Sequence, residues 1–214
     1  MNRGSWSDPF SLLLATSDHD FHDARDATVA VQLMRNDTMV GVEMDEGIRH
    51  ISWLDRRVEA RESPIHGRGL FATELIRAGE VIVRWGGEVL PITELEVLKT
   101  RERYDCAALS DDTIIVFAAD DPMIYGNHSC DPNLWMEDPM TLSARRDIRP
   151  GEEIVVDYGV LSDDPAWVMP CSCGTPLCRG SIRGDDWKRS DLQERYRSHM
   201  APYLARRFEE NEES

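Results

Sequence analysis

Short apolar segments rich in β-branched residues, each ended by Gly, Pro, Asn or Asp, dominate the chain beyond residue 58. Strands have this length and composition, whereas helices need longer runs with a period of 3.6 residues. A mainly β fold with short helices is therefore expected. The predicted strands lie at Ile51–Leu54, Gly69–Ala72, Glu80–Trp85, Thr113–Phe117 and Glu153–Val156.

Helical patterns are few in the centre of the chain. Thr93 is followed three residues later by Glu96, which is the capping-box pattern found at helix starts. This pattern predicts one helix that ends near Thr100. The first 56 residues are interpreted as an N-terminal extension, with a loose leader and a β-hairpin formed by Thr28–Met34 and Thr38–Met44.

The tail, residues 184–214, has a helical pattern. Ser190 and Gln193 form a second capping box, and the apolar side chains behind it recur at helical spacing: Leu192, Tyr196, His199 and Met200. Pro202 suits the first turn of a further helix through about Phe208, and the acidic end of the tail is expected to face solvent. The stripe packs either on its own domain or on a second copy, and its own domain, hence a monomer, is favoured.

Acidic residues strongly outnumber basic ones. The 214 residues include 40 Asp and Glu against 24 Lys and Arg, so the formal net charge is −16. Such a charge opposes direct nucleic-acid binding and speeds the approach of a basic partner such as a lysine-rich peptide. The early apolar run Leu12–Ala15 is too short to span a bilayer. We expect a soluble intracellular protein without membrane contact, cytoplasmic or, in a eukaryote, nuclear.

Three thiols lie within eight residues, at Cys171, Cys173 and Cys178. Disulfides are rare inside cells, and closely spaced thiols are typical of zinc sites, which take about four ligands. Cys130 is the candidate fourth ligand, since Cys106 lies in a more regular run and is interpreted as a small buried side chain. Unligated thiols are the alternative, but the clustering favours one structural zinc ion.

Five segments follow one another in a specific order: Gly67–Ala72, Trp85–Glu88, Asn127–Asn133, Gly151–Gly159 and Cys171–Gly180. In this order they resemble the SET-domain family of protein lysine methyltransferases, and the last segment resembles the post-SET zinc-binding motif. The resemblance implies small curved sheets and a C-terminal segment threaded beneath a loop as a pseudoknot. It divides the chain into an N-terminal extension (1–56), a SET domain (57–160), a post-SET zinc loop (167–183) and the helical tail (184–214).

The resemblance also implies a reaction. A methyl group would pass from S-adenosylmethionine (SAM) to the ε-amine of a lysine in a basic, histone-like protein or peptide. The amine must be neutral to attack, yet an ordinary lysine has a pKa of about 10.4. Burial in an apolar channel beside a sulfonium charge favours loss of that proton.

Individual site residues follow from the same resemblance. Tyr158 would be the catalytic phenol, and Tyr104 a further channel tyrosine. His128 would supply backbone amides and packing rather than proton transfer, and Trp85 stands where the family often has Tyr. The implied cofactor-binding residues are Gly67, Arg68, Gly69, Trp85, Asn127, His128 and Tyr158. The implied zinc ligands are Cys130, Cys171, Cys173 and Cys178.

Two other functions are compatible with parts of the pattern. A catalytically silent module of the same fold, stabilised by zinc, would bind a basic peptide without methyl transfer, and Trp85 in place of Tyr favours it. A cysteine hydrolase would pair Cys130 with His128. The metal role favoured for Cys130 opposes that pairing.

Overall fold

Antiparallel strands make up most of the regular structure in the computed structural model, which describes residues 51–100 and 105–212. Within these residues, strands pair into four small sheets. The strands are β1 (Trp53–Leu54), β2 (Val58–Glu62), β3 (Arg68–Ala72), β4 (Val81–Arg84), β5 (Glu88–Pro91), β6 (Cys106–Ala108), β7 (Thr113–Val116), β8 (Leu134–Asp138), β9 (Thr141–Ala144), β10 (Glu153–Ile154), β11 (Val168–Pro170) and β12 (Ser181–Arg183).

The sheets are small and their neighbours are antiparallel. One has the strand order β1-β4-β9-β8, two have three strands in the orders β10-β3-β2 and β5-β7-β6, and β11 pairs with β12 as a hairpin. The mainly β prediction is thus confirmed. All five predicted segments contain a strand, although β10 is shorter than predicted. It ends at Ile154 because the next two residues bond to a polar loop instead of a strand.

The main core lies between the sheets. Many of its side chains come from strands, among them Leu70, Ile82, Ile115, Leu142 and Ile154, each at most 1% exposed. Removing such side chains from water is the dominant favourable term in folding. The strands therefore hold the intervening polar loops in place.

Three α-helices are described: α1 (Leu95–Leu98), α2 (Ser190–Tyr196) and α3 (Pro202–Glu212). The predicted capping boxes are wrong. Thr93 lies inside a 3-10 turn, Ile92–Glu94, that precedes α1, and no side chain caps that turn or helix. Ser190 is already the first residue of α2, and again no side chain caps its start.

The tail packs on its own domain, as favoured. Leu192, Tyr196, Met200 and Leu204 are buried in a second core cluster together with Val160. The predicted stripe is nevertheless not one continuous helix. Backbone φ is 45° at residue 197, where a 3-10 turn follows α2. The third member of the stripe, His199, is only part-buried, and its imidazole stacks on Trp135 at 3.6 Å between ring centroids.

Several predictions lie beyond these observations. The N-terminal hairpin and Tyr104 fall outside the described residues. The domain boundaries and the pseudoknot remain predictions, although the two segments that would form the pseudoknot do pair, through a parallel bridge between His128 and Val156. No helix within 51–100 and 105–212 has the length and apolar character needed to cross a membrane.

The tail cluster is expected to stabilise the whole described unit. Leu204→Ala should lower the free energy of unfolding by about 3 kcal/mol, because Leu204 is fully buried and truncation leaves a cavity. The control is Val97→Ala in α1, where the side chain is 55% exposed and the loss should stay below about 0.5 kcal/mol. Urea unfolding measures both. Equal losses would show that the tail cluster is not part of the cooperative core.

Candidate functional site

The polar loop Asn127–Asn133 is hydrogen-bonded to β10 and to the residues that follow it. The Val156 N–H donates to the Asn127 carbonyl at 3.1 Å, and the Ser129 N–H donates to the Val156 carbonyl at 3.0 Å. The Asn133 side chain accepts from the Val155 N–H at 2.9 Å and donates to the Glu153 carbonyl at 2.8 Å. The Asn133 amide suits this position because it can both accept from one backbone group and donate to another.

Tyr158 is held against the same loop. Its hydroxyl donates to the Gly126 carbonyl at 2.5 Å, and its N–H donates to His128 Nδ1 at 3.1 Å. The two aromatic rings lie 5.4 Å apart. The structure therefore brings together the candidate catalytic phenol and the candidate cofactor-binding pair, Asn127 and His128.

Asn127 lies at the centre of an acceptor-rich cluster. Its Nδ2 is 2.7 Å from Glu153 Oε1, 3.1 Å from Ser63 Oγ, and within 3.1 Å of the backbone carbonyls of residues 66 and 68. One amide group thus faces more acceptors than its two N–H bonds can serve. A Cβ on Gly69 would lie 2.1 Å from Glu153 Oε1, so only glycine permits this approach.

The Gly67-Arg68-Gly69 segment therefore lies beside Asn127, as expected. Gly67 has a φ of 45°, which is the left-handed region that favours glycine, and open space lies where its Cβ would be. Arg68 stacks its guanidinium 4.4 Å from the ring centre of Tyr125. Ser63 and Glu153 were missed as site residues. The sequence around Ser63 or Glu153 does not indicate their contact with Asn127, because Asn127 lies 64 and 26 residues away from them, respectively.

His128 is neutral. Burial lowers its pKa to about 4. Because Nδ1 accepts from the Tyr158 N–H, the ring proton lies on Nε2, which is 3.4 Å from Cys130 Sγ. Side chains two residues apart on extended backbone point to the same face, so this contact needs no special geometry. Burial raises the pKa of the Cys130 thiol to about 11, which opposes its use as the nucleophile of a hydrolase.

The four candidate metal ligands meet as predicted. Sγ atoms of Cys130, Cys171, Cys173 and Cys178 all lie within 4.8 Å of one another, and two of these pairs are 3.8 Å apart. A tetrahedron of sulfurs about 2.3 Å from a zinc ion has edges of about 3.8 Å. The cluster can therefore hold a metal ion. Cys106 lies apart from it in β6, and burial raises the pKa of its thiol to about 11.

Residues 171–180, called the metal loop below because their cysteines can hold a metal ion together with Cys130, lie between the two strands of a hairpin. β11 and β12 pair just outside the three clustered cysteines, and the Cys171 N–H closes the loop by donating to the Gly180 carbonyl at 2.9 Å. Backbone amides donate to sulfur: Arg179 N–H to Cys130 Sγ at 3.3 Å, and Cys130 N–H to Cys173 Sγ at 3.5 Å. Burial opposes ionisation of Cys173, but hydrogen bonds from Thr175 and this amide lower the pKa of its thiol.

A buried ion-pair network connects the metal loop to the turn that carries Tyr158. Asp157 is fully buried, and both its oxygens accept from Arg179, at 2.6 and 2.7 Å. Burial disfavours the Arg179 cation, but Asp157 more than compensates and raises its pKa. Asp186 Oδ2 lies 3.1 Å from Arg179 Nε. From the sequence, Asp157 and Arg179 are recognisable only as members of motifs. Their ion pair could not be predicted, because a contact between distant residues has no local sequence pattern.

Trp85 is buried in the main core, on which Tyr158 also packs. Its ring contacts Phe117 edge to face at 5.7 Å between centroids. Its indole N–H is buried and has no hydrogen-bond partner within the described part of the chain. The expected cofactor contact of Trp85 is therefore still a prediction, with an unused donor as its structural support.

Comparison with known proteins identifies the central segment. Residues 67–159 match the family model described as SET domain. Curated relatives are histone-lysine N-methyltransferases. TRX1 of Oryza sativa subsp. japonica is 32% identical over 147 residues, which cover 59% of this chain and 14% of that protein. Histone-lysine N-methyltransferase 2B of Homo sapiens is 30% identical over 177 residues, which cover 73% and 6%.

The chain spans only a small part of these relatives, 3% of trithorax of Drosophila virilis, for example. Among solved structures, the methyltransferase domain of human histone-lysine N-methyltransferase SETMAR aligns with a TM-score of 0.49 and 23% identity, covering 60% of this chain and 58% of that one. The sequence resemblance to the SET domain is thus confirmed by the family model and the curated relatives. The roles of individual site residues stay predictions.

The buried ion pair should be far more sensitive than a surface pair. Asp157→Asn should lower the free energy of unfolding by about 3 kcal/mol, because it removes one partner of a buried pair. Asp191→Asn breaks the exposed pair with Arg189, whose side chains are about half exposed, and should cost less than about 0.5 kcal/mol. Urea unfolding of the two variants tests this. Similar values would contradict a dry, structurally important Asp157–Arg179 pair.

Proposed function

We propose that this protein transfers a methyl group from SAM to the ε-amine of a lysine in a basic, histone-like protein or peptide. The proposal rests on one observation above all. Within the segment that matches the SET-domain model, the Tyr158 phenol is hydrogen-bonded to Gly126, immediately before Asn127 and His128. The curated relatives carry the same activity in their names.

The hydrogen-bond direction gives the phenol a role. Tyr158 donates its proton to the Gly126 carbonyl, so its oxygen presents acceptor lone pairs to other groups. Such an oxygen can accept from the N–H of a neutral amine and orient the nitrogen lone pair toward the methyl carbon. Positioning supplies much of the catalysis, because the amine itself is the nucleophile and attacks in line.

The acceptor cluster around Asn127 fits the cofactor. When bound, SAM would supply an electrophilic methyl group on a sulfonium. Its amino-acid end carries an ammonium with three N–H donors. The Asn127 amide has two N–H bonds and cannot satisfy all the acceptors around it, which are Glu153, Ser63 and two backbone carbonyls. We assign this cluster, with Gly67, Arg68 and Gly69, to the ammonium end. Trp85 and His128 are assigned to the cofactor by family resemblance, and Tyr104 to the lysine channel.

The four-cysteine cluster is proposed to hold one structural zinc ion. Its sulfur-to-sulfur distances fit tetrahedral thiolate ligation, and its amides donate to sulfur as thiolates require. The loop would then be fixed against the Asn127–Asn133 segment through Cys130. The strong negative charge of the chain supports a basic substrate, a location away from membranes and no direct nucleic-acid contact.

Loss of the phenol oxygen should abolish transfer. Tyr158→Phe is expected to reduce the rate by about 100-fold or more, the size of effect seen when a transition-state hydrogen bond is removed. Intact-mass analysis of lysine-rich peptides after incubation with SAM measures the rate and the number of methyl groups together. Tyr203→Phe, which lies in the tail, is the control and should retain near wild-type activity.

The same assay separates the enzyme from the silent module. Absence of methyl transfer by the wild-type chain to any lysine peptide, together with peptide binding in a separate measurement, would favour the module, as Trp85 in place of Tyr suggests. Transfer by the wild type and by Tyr158→Phe at equal rates would contradict the role given to the phenol.

Metal content should depend on four cysteines and not on the fifth. The wild-type chain is expected to purify with one zinc ion, and Cys171→Ser should lose most of it, since three thiolates bind zinc less tightly than four. Cys106→Ser is the matched control and should keep the full content. Elemental analysis by inductively coupled plasma mass spectrometry measures this. A Cys106→Ser variant that loses zinc would contradict the ligand set.

A further inference from the structure

Two side chains of α2 reach the candidate site. The Tyr196 hydroxyl donates to Asp157 Oδ2 at 3.0 Å. Arg195 Nη1 donates to the backbone carbonyl of Cys130 at 2.9 Å. One contact is to the residue before the candidate phenol, and the other is to a candidate metal ligand. The SET-domain match ends at residue 159, so it does not account for either contact.

A third contact comes from the beginning of the tail. Asp186 lies 3.1 Å from Arg179 Nε and is almost completely buried. Gly159 makes room for this approach. A Cβ at position 159 would lie 2.9 Å from Arg179 Nη2 and 3.0 Å from Asp186 Cβ. The turn after Tyr158 is therefore shaped to receive the tail.

These contacts share one centre. Asp157 Oδ2 accepts from Arg179 Nη1 and from the Tyr196 hydroxyl, while Oδ1 accepts from Arg179 Nη2 and the Gly159 N–H. Arg179 in turn donates its backbone N–H to Cys130 Sγ. A displacement of Arg179 would therefore also disturb the hydrogen bond from its N–H to Cys130 Sγ in the cysteine cluster. Tyr196 holds Asp157 at one end of this connection, and Arg195 holds the backbone of Cys130 at the other.

We infer that Tyr196 and Arg195 are positioning residues, through which the tail fixes the metal loop against the turn that carries Tyr158. The consequence for methyl transfer rests on the proposed function. The mechanical claim does not, because every contact in it lies within the chain. Residues beyond 184 then belong to the functional site as well as to the core.

Two tyrosines offer a matched test. Tyr196 and Tyr203 are each 1% exposed, and each hydroxyl makes a hydrogen bond; Tyr203 donates to the Leu161 carbonyl at 3.3 Å, outside the Asp157 network. Hydrogen exchange of the full chain, followed by mass spectrometry with and without zinc, compares Tyr196→Phe with Tyr203→Phe. We expect Tyr196→Phe to speed exchange about tenfold in peptides covering 157–160 and 171–180, because an Asp157 partner is lost.

The control distinguishes positioning from general stability. Tyr203→Phe should leave exchange in 171–180 at the wild-type rate, even where its urea midpoint falls as much as that of Tyr196→Phe. The inference is overturned if the two variants change exchange in 171–180 equally, if neither changes it, or if only Tyr203→Phe does.

A second pair tests the other contact by metal release. Arg195→Met should speed transfer of zinc to a chromogenic chelator about fivefold, since Cys130 loses a charged donor at its carbonyl. Arg189→Met, which breaks the exposed pair with Asp191 and leaves the Cys130 carbonyl contact in place, should keep the rate near the wild-type value. Equal release rates in the two variants would overturn the role of Arg195.

Methyl-transfer assays on the same samples keep the two proposals separate. If the wild type transfers no methyl group but the exchange pattern holds, the proposed function fails and the positioning role stands. If the wild type transfers methyl groups but exchange in 171–180 is unaffected by Tyr196→Phe, the positioning role fails alone.

Discussion

The bidentate contact between Asp157 and Arg179 is the interaction on which the candidate site depends. It joins the turn of Tyr158 to the loop of the clustered cysteines, and both side chains are buried. Two charges taken out of water cost several kcal/mol each, and only good geometry with further hydrogen bonds offsets that cost. The Tyr196 hydroxyl and the Gly159 amide provide those bonds. The network therefore permits few positions of the cysteine loop relative to the turn of Tyr158, and so it fixes how these two segments meet.

Local chemistry explains what could be predicted from the sequence. Strands such as β3 and β7 were recognisable because β-branched and apolar runs end at residues that break regular structure. The metal cluster was recognisable because three thiols are close in sequence and the fourth lies in a motif with a family resemblance. Tyr158 and Asn127 could be paired only by that resemblance, since 31 positions separate them.

The failures are equally physical. Thr93 and Ser190 fit the capping pattern, but the chain entering α1 already turns as a 3-10 segment, and α2 starts one residue earlier than its pattern implies. Arg179, Glu153 and Ser63 could not be predicted, because their environments are created by tertiary contacts.

The cluster around Asn127 is assembled from segments that are far apart along the chain. Ser63 and Glu153 are 90 residues apart, and the contact between Arg195 and Cys130 spans 65. Contacts of such high sequence separation slow folding, because the entropy of closing long loops is lost before any contact forms. During synthesis on the ribosome, the cysteine cluster cannot be completed before Cys178 has emerged, and the Asp157 network cannot be completed before Tyr196 has emerged. The thiol of Cys130 and the carboxylate of Asp157 therefore lack these partners during the intervening part of synthesis.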